Sequence, residues 1–226
     1  MHTLAELFDS HGLISYDKQL TLRTLVEGLG SVSYRDGALS FGRDLEWPVQ
    51  LIGSRSDYDN TWLWAWANPG LSGWRLEASH ELHAFGHQHS IQELTRAKFT
   101  LLAFDGHYLS MVAAGVLGAA CYYRFPYEDG AAFLLVLAAP ELRALSDLSA
   151  HSISSRVLDF VCQYDCRHRT AVENYLRFKG YTFTNSGQTL TAASQVGQSL
   201  EAHFDSDGRL LKIEAVVTAP VYPPGV

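Results

Sequence analysis

Apolar residues recur with two different periods along the chain, and the changes of period divide it into helices and strands. Residues 3–30 have helical apolar spacing in parts, with glycines at positions 12, 28 and 30 as breaks, which predicts one or two short helices. From residue 31 the period becomes two. The segment "SVSYRDGALSFG" carries Asp36-Gly37 between two β-favouring runs, which is typical of a hairpin.

Two further strands and a helix are predicted around the tryptophans. The segments "WPVQLIGSRS" (47–56) and "TWLWAWAN" (61–68) favour strands, and turn-forming residues separate them. A single helical stripe follows, with spacings of four, four and three, formed by Trp74, Ala78, Leu82 and Phe85. Gly86 comes next, at the position of a C-cap glycine, so we predict a helix from Trp74 to about Phe85.

The rest of the chain alternates helical and strand patterns. Asp105 is placed to cap a largely apolar helix, and the segments "CYYRF" and "AAFLLVLA" then favour strands. Beyond Pro140, "ISSRVLDFVCQY" and residues 170–179 predict helices, and four short segments after Gly180 predict a strand meander.

This order of elements is typical of an α+β fold, in which antiparallel sheets are packed with helices around the Trp-rich strand. We predict a single compact unit over residues 1–226. If this unit is subdivided, we predict an α+β part over residues 1–139, followed by helices and a C-terminal β-meander over residues 140–226.

Composition and charge argue against nucleic-acid-binding and membrane proteins. The 226 residues are 47% hydrophobic and 18% charged, enough to bury a core without metal or disulfide. The net charge of −7 argues against sequence-independent nucleic-acid binding, which needs a basic surface. The N-terminal segment carries no Lys or Arg, and the apolar runs 111–123 and 131–139 are too short to span a bilayer. With three cysteines, these features predict a cytoplasmic protein with reduced thiols, no membrane partner and no cofactor.

The tryptophans are the first candidate for chemistry. In a strand, Trp62, Trp64, Trp66 and Asn68 share one face, and indoles about 7 Å apart would form a flat platform for sugars, bases or peptide side chains. These four residues are therefore candidate ligand-binding residues. The opposite face carries Leu63 and alanines, so the strand has no obviously wet side. Because soluble proteins rarely expose large apolar patches, the pattern favours a core strand.

Histidines are the second candidate. His80, His83 and His87 lie on the predicted helix, and the last two are four residues apart, as in helical zinc pairs. There is no HExxH motif, and no carboxylate at a useful offset. At 100° per residue all three histidines lie opposite the apolar stripe. Gly86 would end the helix before His87. We therefore predict a solvent-facing cluster, and any metal bound there as adventitious.

Other motifs favour structural roles. "CQYDCRH" does not bring Cys162, Cys166 and His168 together on one side of a helix. "SDYDN" (56–60) lacks the length, glycine and distal Glu of a calcium loop. Two pairs that each share a strand face, Glu201 with His203 and Lys212 with Glu214, predict cross-strand contacts. No nucleophile elbow, phosphate loop or dinucleotide fingerprint is present, so no catalytic residue is predicted.

Around the tryptophans the chain resembles a bacterial family of uncharacterised proteins, defined only as a domain of unknown function. The resemblance covers residues 38–139. It rests on a strand ending in Gly53, the Trp-Leu-Trp-Ala-Trp-Ala-Asn segment, the helix ending near Phe85-Gly86, His89 and Leu94-Thr95. It implies a bacterial cytosolic protein and brings no activity or catalytic residues. In that family the helix carries assorted charged residues where His80 and His83 stand, which favours a solvated face.

These observations lead to two classes of functional hypothesis. The first is a non-catalytic binding protein, and more concretely an immunity or antitoxin-like protein that neutralises a basic toxin partner, because an acidic surface attracts such partners. The alternative is an enzyme or small-ligand module that uses the face of Trp62, Trp64 and Trp66. A metal-dependent enzyme built on His80, His83 and His87 is a third hypothesis.

Overall fold

The computed structural model describes residues 3–102, 104–145 and 149–216 and confirms the α+β class, with antiparallel sheets and helices. The chain divides into two compact units, residues 1–146 and 147–226. Each unit contains one sheet and its own helices.

Among its described residues, the first unit contains a seven-stranded sheet and five helices. Its helices are α1 (Leu4–Val26), α2 (Glu77–His89), α3 (Gln92–Thr95), α4 (Gly106–Val116) and α5 (Pro140–Ala144). Its strands are β1 (Val32–Arg35), β2 (Ala38–Phe41), β3 (Leu45–Ser56), β4 (Thr61–Trp64), β5 (Lys98–Thr100), β6 (Cys121–Tyr127) and β7 (Gly130–Val136).

The long strand β3 is the centre of this sheet. Its first half pairs with β2, its second half pairs with β4, and β7 pairs along its other edge. β1, β5 and β6 then extend the sheet through β2, β4 and β7. All of these pairs are antiparallel. The predicted hairpin at Asp36-Gly37 is confirmed as the β1–β2 connection, since Arg35 pairs with Ala38.

The first helix differs from its prediction because tertiary packing overrides a local break. Thr3 and Glu6 form a capping box at its start, so two backbone donors are satisfied there. The helix then runs unbroken through the buried Gly12 to Val26. Its buried face packs against α4 and β6, and this burial offsets the roughly 1 kcal/mol that a helical glycine costs.

The second helix also extends further than predicted. A short 3₁₀ turn, Trp74–Leu76, precedes α2, which continues past Gly86 to His89 and ends at Ser90 in the left-handed conformation. Gly86 is therefore not the C-cap. It is buried, and a Cβ at that position would lie 2.6 Å from the Cβ of Leu94. The glycine is required for the close approach of α3.

The predicted apolar helix is confirmed as α4. The carboxylate of Asp105 accepts a hydrogen bond from the backbone N–H of Tyr108 at 2.7 Å and so caps the helix. Residues on several of its sides are buried, as its composition predicted. Within the described ranges, no helix combines the length and apolarity needed to cross a bilayer.

The second unit is built from helices followed by a strand meander, as its sequence predicted. Its helices are α6 (Ala150–Gln163) and α7 (His168–Phe178). Its strands are β8 (Tyr181–Ser186), β9 (Thr189–Ser194), β10 (Ser199–Phe204) and β11 (Leu210–Val216), paired in sequence order. α6 packs on β10 and β11, and α7 packs on β8, so one face of the sheet is covered.

Candidate functional site

The predicted three-indole platform is not formed. Trp62 and Trp64 are completely buried, with ring centroids 5.1 Å apart and planes 78° apart, so their faces are not coplanar. The ring of Trp62 covers Gly53 so closely that a Cβ there would clash with it. Trp62 also packs on Phe133, at 5.2 Å between centroids. The interpretation of these two residues as core is confirmed.

Trp66 and Asn68 leave the strand altogether, which corrects the predicted strand over 61–68. β4 ends at Trp64, and Ala65–Ala67 form a 3₁₀ turn. Two hydrogen bonds hold the chain in this turn: the backbone N–H of Trp66 donates to the hydroxyl of Ser79, thirteen residues away, at 3.0 Å, and that of Asn68 donates to the carbonyl of Ala65. The side chain of Asn68 accepts from the backbone of Gly70 and fixes the following turn. The four predicted ligand-binding residues are thus not brought to one surface.

The three predicted histidines lie on α2, which carries all of them because it does not end at Gly86. His80 and His87 are exposed, and His83 is half-buried. The Nε2 atoms of His83 and His87 are 3.1 Å apart. The ring of Trp66 stacks on His83, with centroids 3.8 Å apart and planes 20° apart. Burial lowers the pKa of His83, and the neighbouring charges of His87 and His80 lower it further.

Of the three histidines, only His83 and His87 contact each other. In the described part of the chain, no group of three or more His, Cys, Asp or Glu side chains is arranged to hold a metal ion. Of the three cysteines, Cys121 is buried, Cys162 is exposed and Cys166 is half-buried. Burial raises the pKa of the Cys121 thiol to about 12, so this group stays protonated and unreactive.

The charged pairs of the second sheet form along the strands, not across them as predicted. The register places Glu201 opposite Glu214 and His203 opposite Lys212. The carboxylates of Glu201 and Glu214 therefore face each other, and each lies beside a basic side chain two residues away on its own strand. His203 Nε2 lies 2.9 Å from Glu201, and Lys212 lies 2.8 Å from Glu214.

His203 has a third neighbour that sequence spacing did not predict. Its Nδ1 lies 3.2 Å from the hydroxyl of Thr189, which faces it on β9. The order hydroxyl, imidazole, carboxylate is also found in hydrolase relays. Here the His203 and Glu201 side chains are about one-third exposed on the polar strand face. Water therefore reaches these groups, and a structural hydrogen-bond chain accounts for the geometry.

Another pair missed from the sequence joins α4 to β6. His107 Nδ1 lies 3.0 Å from the hydroxyl of Tyr122, and the imidazole meets the ring of Phe133 edge-on. Burial is the main cause that lowers the pKa of His107; Asp105 opposes it, and Arg124 and Arg55 add to it. A neutral His107 suits this largely buried packing site.

Three loops lie side by side at one end of the first sheet. Their alignment follows from the register, because Ser56 at the end of β3 faces Thr61 on β4 and Gly130 on β7. Backbone hydrogen bonds join the loops: Asp57 donates to Asp129 at 2.9 Å, and Leu101 donates to Asn60 at 2.8 Å. We call residues 57–60, 101–102 and 127–130 the loop-end surface.

The loop-end surface exposes large apolar side chains. Tyr58 is 94% exposed and Leu102 is 90% exposed, the highest values among the large apolar residues of the described chain. Tyr127 is half-exposed, and its hydroxyl donates to the backbone carbonyl of Arg55 at 3.2 Å. Exposed Tyr and Leu side chains on adjacent loops provide contact area that the fold itself does not use.

Carboxylates surround these apolar side chains: Asp57, Asp59, Glu128 and Asp129 are all exposed. Asp57 pairs with Arg55 and Asp59 with Lys98, each at 3.1 Å. Hydrogen bonds from Thr61, Ser56 and Lys98 hold the pKa of Asp59 well below its usual range. The Glu128 and Asp129 carboxylates have no ion-pair partner among the described residues, so the surface retains negative charge.

Comparison with known proteins shows the family to which the chain belongs. Residues 5–139, more than half of the chain, match the Family of unknown function (DUF6882). The chain belongs to DUF6882. The matched DUF6882 segment runs from the second residue of α1 past the end of β7. It includes the buried tryptophans, the paired histidines and the entire loop-end surface. The Thr189–His203–Glu201 chain lies outside it. No curated protein and no solved structure matches the chain.

Proposed function

We propose that this DUF6882 protein is a non-catalytic binding protein that recognises a basic protein partner through its loop-end surface. More specifically, we propose an immunity or antitoxin-like role, in which binding covers and neutralises a basic toxin. The observation that carries the proposal is the exposure of Tyr58 and Leu102 beside four carboxylates.

The composition of the surface supports a protein partner. Tyrosine is enriched among interface residues that contribute most to binding, because it combines a large rigid contact area with a polar hydroxyl. Tyr58 and Tyr127 lie on loops joined by a backbone hydrogen bond, and Leu102 follows β5, which pairs with β4 of the same sheet. Together they would supply the apolar centre of an interface, and the exposed carboxylates its polar rim.

Charge supports a basic partner. The chain carries a net charge of −7. Of the four carboxylates on the loop-end surface, those of Asp57 and Asp59 pair with the neighbouring cations Arg55 and Lys98. Complementary charge accelerates the association of two proteins and disfavours acidic competitors. A nucleic acid would meet repulsion at the same surface.

Hydrogen bonds restrain residues 57–61 and 101, which reduces the conformational entropy lost on binding. Asn60 adopts a left-handed conformation and its side chain donates to the carbonyl of Leu101 at 2.6 Å. The hydroxyl of Thr61 donates to Asp59 at 2.7 Å. A surface fixed in this way before binding gains affinity over a mobile one.

Affinity capture from the cells that naturally produce the protein tests the proposal. Three forms are compared by quantitative mass spectrometry: the unaltered chain, the Tyr58→Ala/Leu102→Ala variant, and a Val196→Ala/Leu211→Ala control. The control residues are also exposed apolar side chains, 81% and 68% exposed, but lie in the second unit. We expect a basic protein to be captured by the unaltered chain and the control, and lost with the loop-end variant.

Two outcomes contradict the proposal. Equal capture by all three forms would show that the loop-end surface does not contribute to binding. Loss of the partner only with the Val196→Ala/Leu211→Ala control would show that the interface lies in the second unit.

A further inference from the structure

His83 and His87 have the geometry of two ligands of one metal ion. Zinc and copper bind imidazole nitrogens at about 2.0–2.1 Å, which separates two such nitrogens by about 3.3 Å at a tetrahedral angle and about 2.9 Å at a right angle. The observed distance between the two Nε2 atoms is 3.1 Å. One ion could therefore bind both nitrogens with only a small change in either side chain.

The position of His83 is fixed from outside its own helix. Trp66 stacks on the imidazole at 3.8 Å between centroids, and the backbone of Trp66 donates to the completely buried hydroxyl of Ser79. That hydroxyl donates in turn to the carbonyl of Ile52 on β3 at 3.1 Å. A solvated histidine pair without such contacts would sample several rotamers and lose side-chain entropy on chelation.

We propose that His83 and His87 form a two-histidine site for a divalent first-row transition-metal ion such as Cu²⁺, Ni²⁺ or Zn²⁺, with Trp66 as its wall. Neutral imidazole is a preferred ligand of these ions, whereas Mg²⁺ and Ca²⁺ prefer oxygen. Two protein ligands leave the other coordination positions to water or to a donor from another molecule. This site is independent of the loop-end surface and of the proposed binding function.

The site differs from the usual zinc centres of proteins. Structural zinc takes four protein ligands and catalytic zinc takes three. His80, the third histidine named from the sequence, is exposed one turn earlier on α2 and forms no hydrogen bond or ring contact with the pair. We therefore assign the site to His83 and His87 and expect His80 to be dispensable.

Titration of the full-length, untagged protein with CuCl₂, and separately with ZnSO₄, tests this site by calorimetry and tryptophan fluorescence. We expect one ion per chain, with Cu²⁺ bound more tightly than Zn²⁺. His83→Ala and His87→Ala should each weaken binding by about tenfold or more, since even outer-sphere partners of a metal contribute that much. His80→Ala and His89→Ala serve as matched controls on the same helix and should leave the affinity unchanged.

The Trp66→Phe variant distinguishes the binding of Cu²⁺ from the quenching of tryptophan fluorescence that reports it. This variant should bind Cu²⁺ with affinity close to that of the unaltered protein but show less quenching, because the indole nearest the ion is gone. His87 is exposed, so its replacement tests the site without disturbing the fold. Unchanged affinity in both His83→Ala and His87→Ala, or an equal loss in His80→Ala, would overturn the assignment.

Discussion

At the scale of single residues, the two completely buried tryptophans, Trp62 and Trp64, differ in how their polar atoms are satisfied. The indole N–H of Trp64 donates to the carbonyl of Glu93 at 2.8 Å. The indole N–H of Trp62 is buried and has no acceptor among the described residues. A buried donor without a partner costs about 1–3 kcal/mol, whereas a satisfied one contributes about 1 kcal/mol. Trp62 is therefore retained for its apolar contacts with Phe133 and Gly53 rather than for hydrogen bonding.

This difference predicts unequal effects of the same substitution. Trp62→Phe and Trp64→Phe remove the same atoms and leave similar cavities, but only Trp64→Phe breaks a hydrogen bond. We expect Trp64→Phe to lower the free energy of unfolding by about 2–4 kcal/mol more than Trp62→Phe, because Trp62→Phe also removes an unsatisfied buried donor. Urea unfolding of the two variants measures this difference. A larger loss for Trp62→Phe would contradict the argument.

At the scale of elements, hydrogen bonds from β3 fix the start of α2. The side chain of Gln50 accepts from the backbone of Ala78 in the first turn of the helix, and Ser79 connects the helix to both β3 and Trp66. These contacts fix the position of the first turn of α2 relative to β3. They also align His83 with Trp66, so the fold of this corner and the geometry of the histidine pair have a common cause.

Two buried helix serines provide a matched test of that role. Ser79 and Ser110 are both completely buried, but Ser110 donates only to the carbonyl of Gly106 four residues earlier in its own helix. Ser79→Ala should lower the free energy of unfolding by about 1–3 kcal/mol, because it leaves the backbone N–H of Trp66 without its acceptor. Ser110→Ala should be nearly neutral, since the Gly106 carbonyl retains its helical bond. Thermal and urea unfolding compare the two, and equal losses would count against the bridging role.

Much of the element pattern could be predicted from the sequence, and the failures have physical causes. The hairpin at Asp36-Gly37 and the capped helix α4 depend on residues close in sequence, which local patterns indicate well. The unbroken α1, the passage of α2 through Gly86 and the end of β4 at Trp64 depend on contacts distant in sequence. Periodicity carries no information about such contacts.

At the scale of the whole molecule, all five tryptophans and the DUF6882 match belong to the first unit. The loop-end surface could not have been predicted from the sequence, because it joins residues 57–60, 101–102 and 127–130 through strand register. The sequence signalled only that Tyr58 lies among turn-forming residues. Register is set by the packing of whole strands, so a surface made of three loops becomes apparent only in the folded chain.

The division into units predicts that residues 1–146 fold alone. They contain a complete sheet with helices packed on it and a buried aromatic core. We expect the fragment to unfold cooperatively and to keep the near-ultraviolet circular dichroism of the full chain, since every tryptophan lies in it. A fragment without near-ultraviolet signal would contradict the independence of the unit.

The dissociation constant of the captured basic partner, measured by calorimetry at two salt concentrations, tests the central claim most directly. The loop-end surface should supply the main contacts, so Tyr58→Ala/Leu102→Ala should weaken binding by about thirtyfold or more without loss of thermal stability. Higher salt should weaken binding to the unaltered chain. An unchanged dissociation constant for this variant, with Val196→Ala/Leu211→Ala as the reference, would contradict the account.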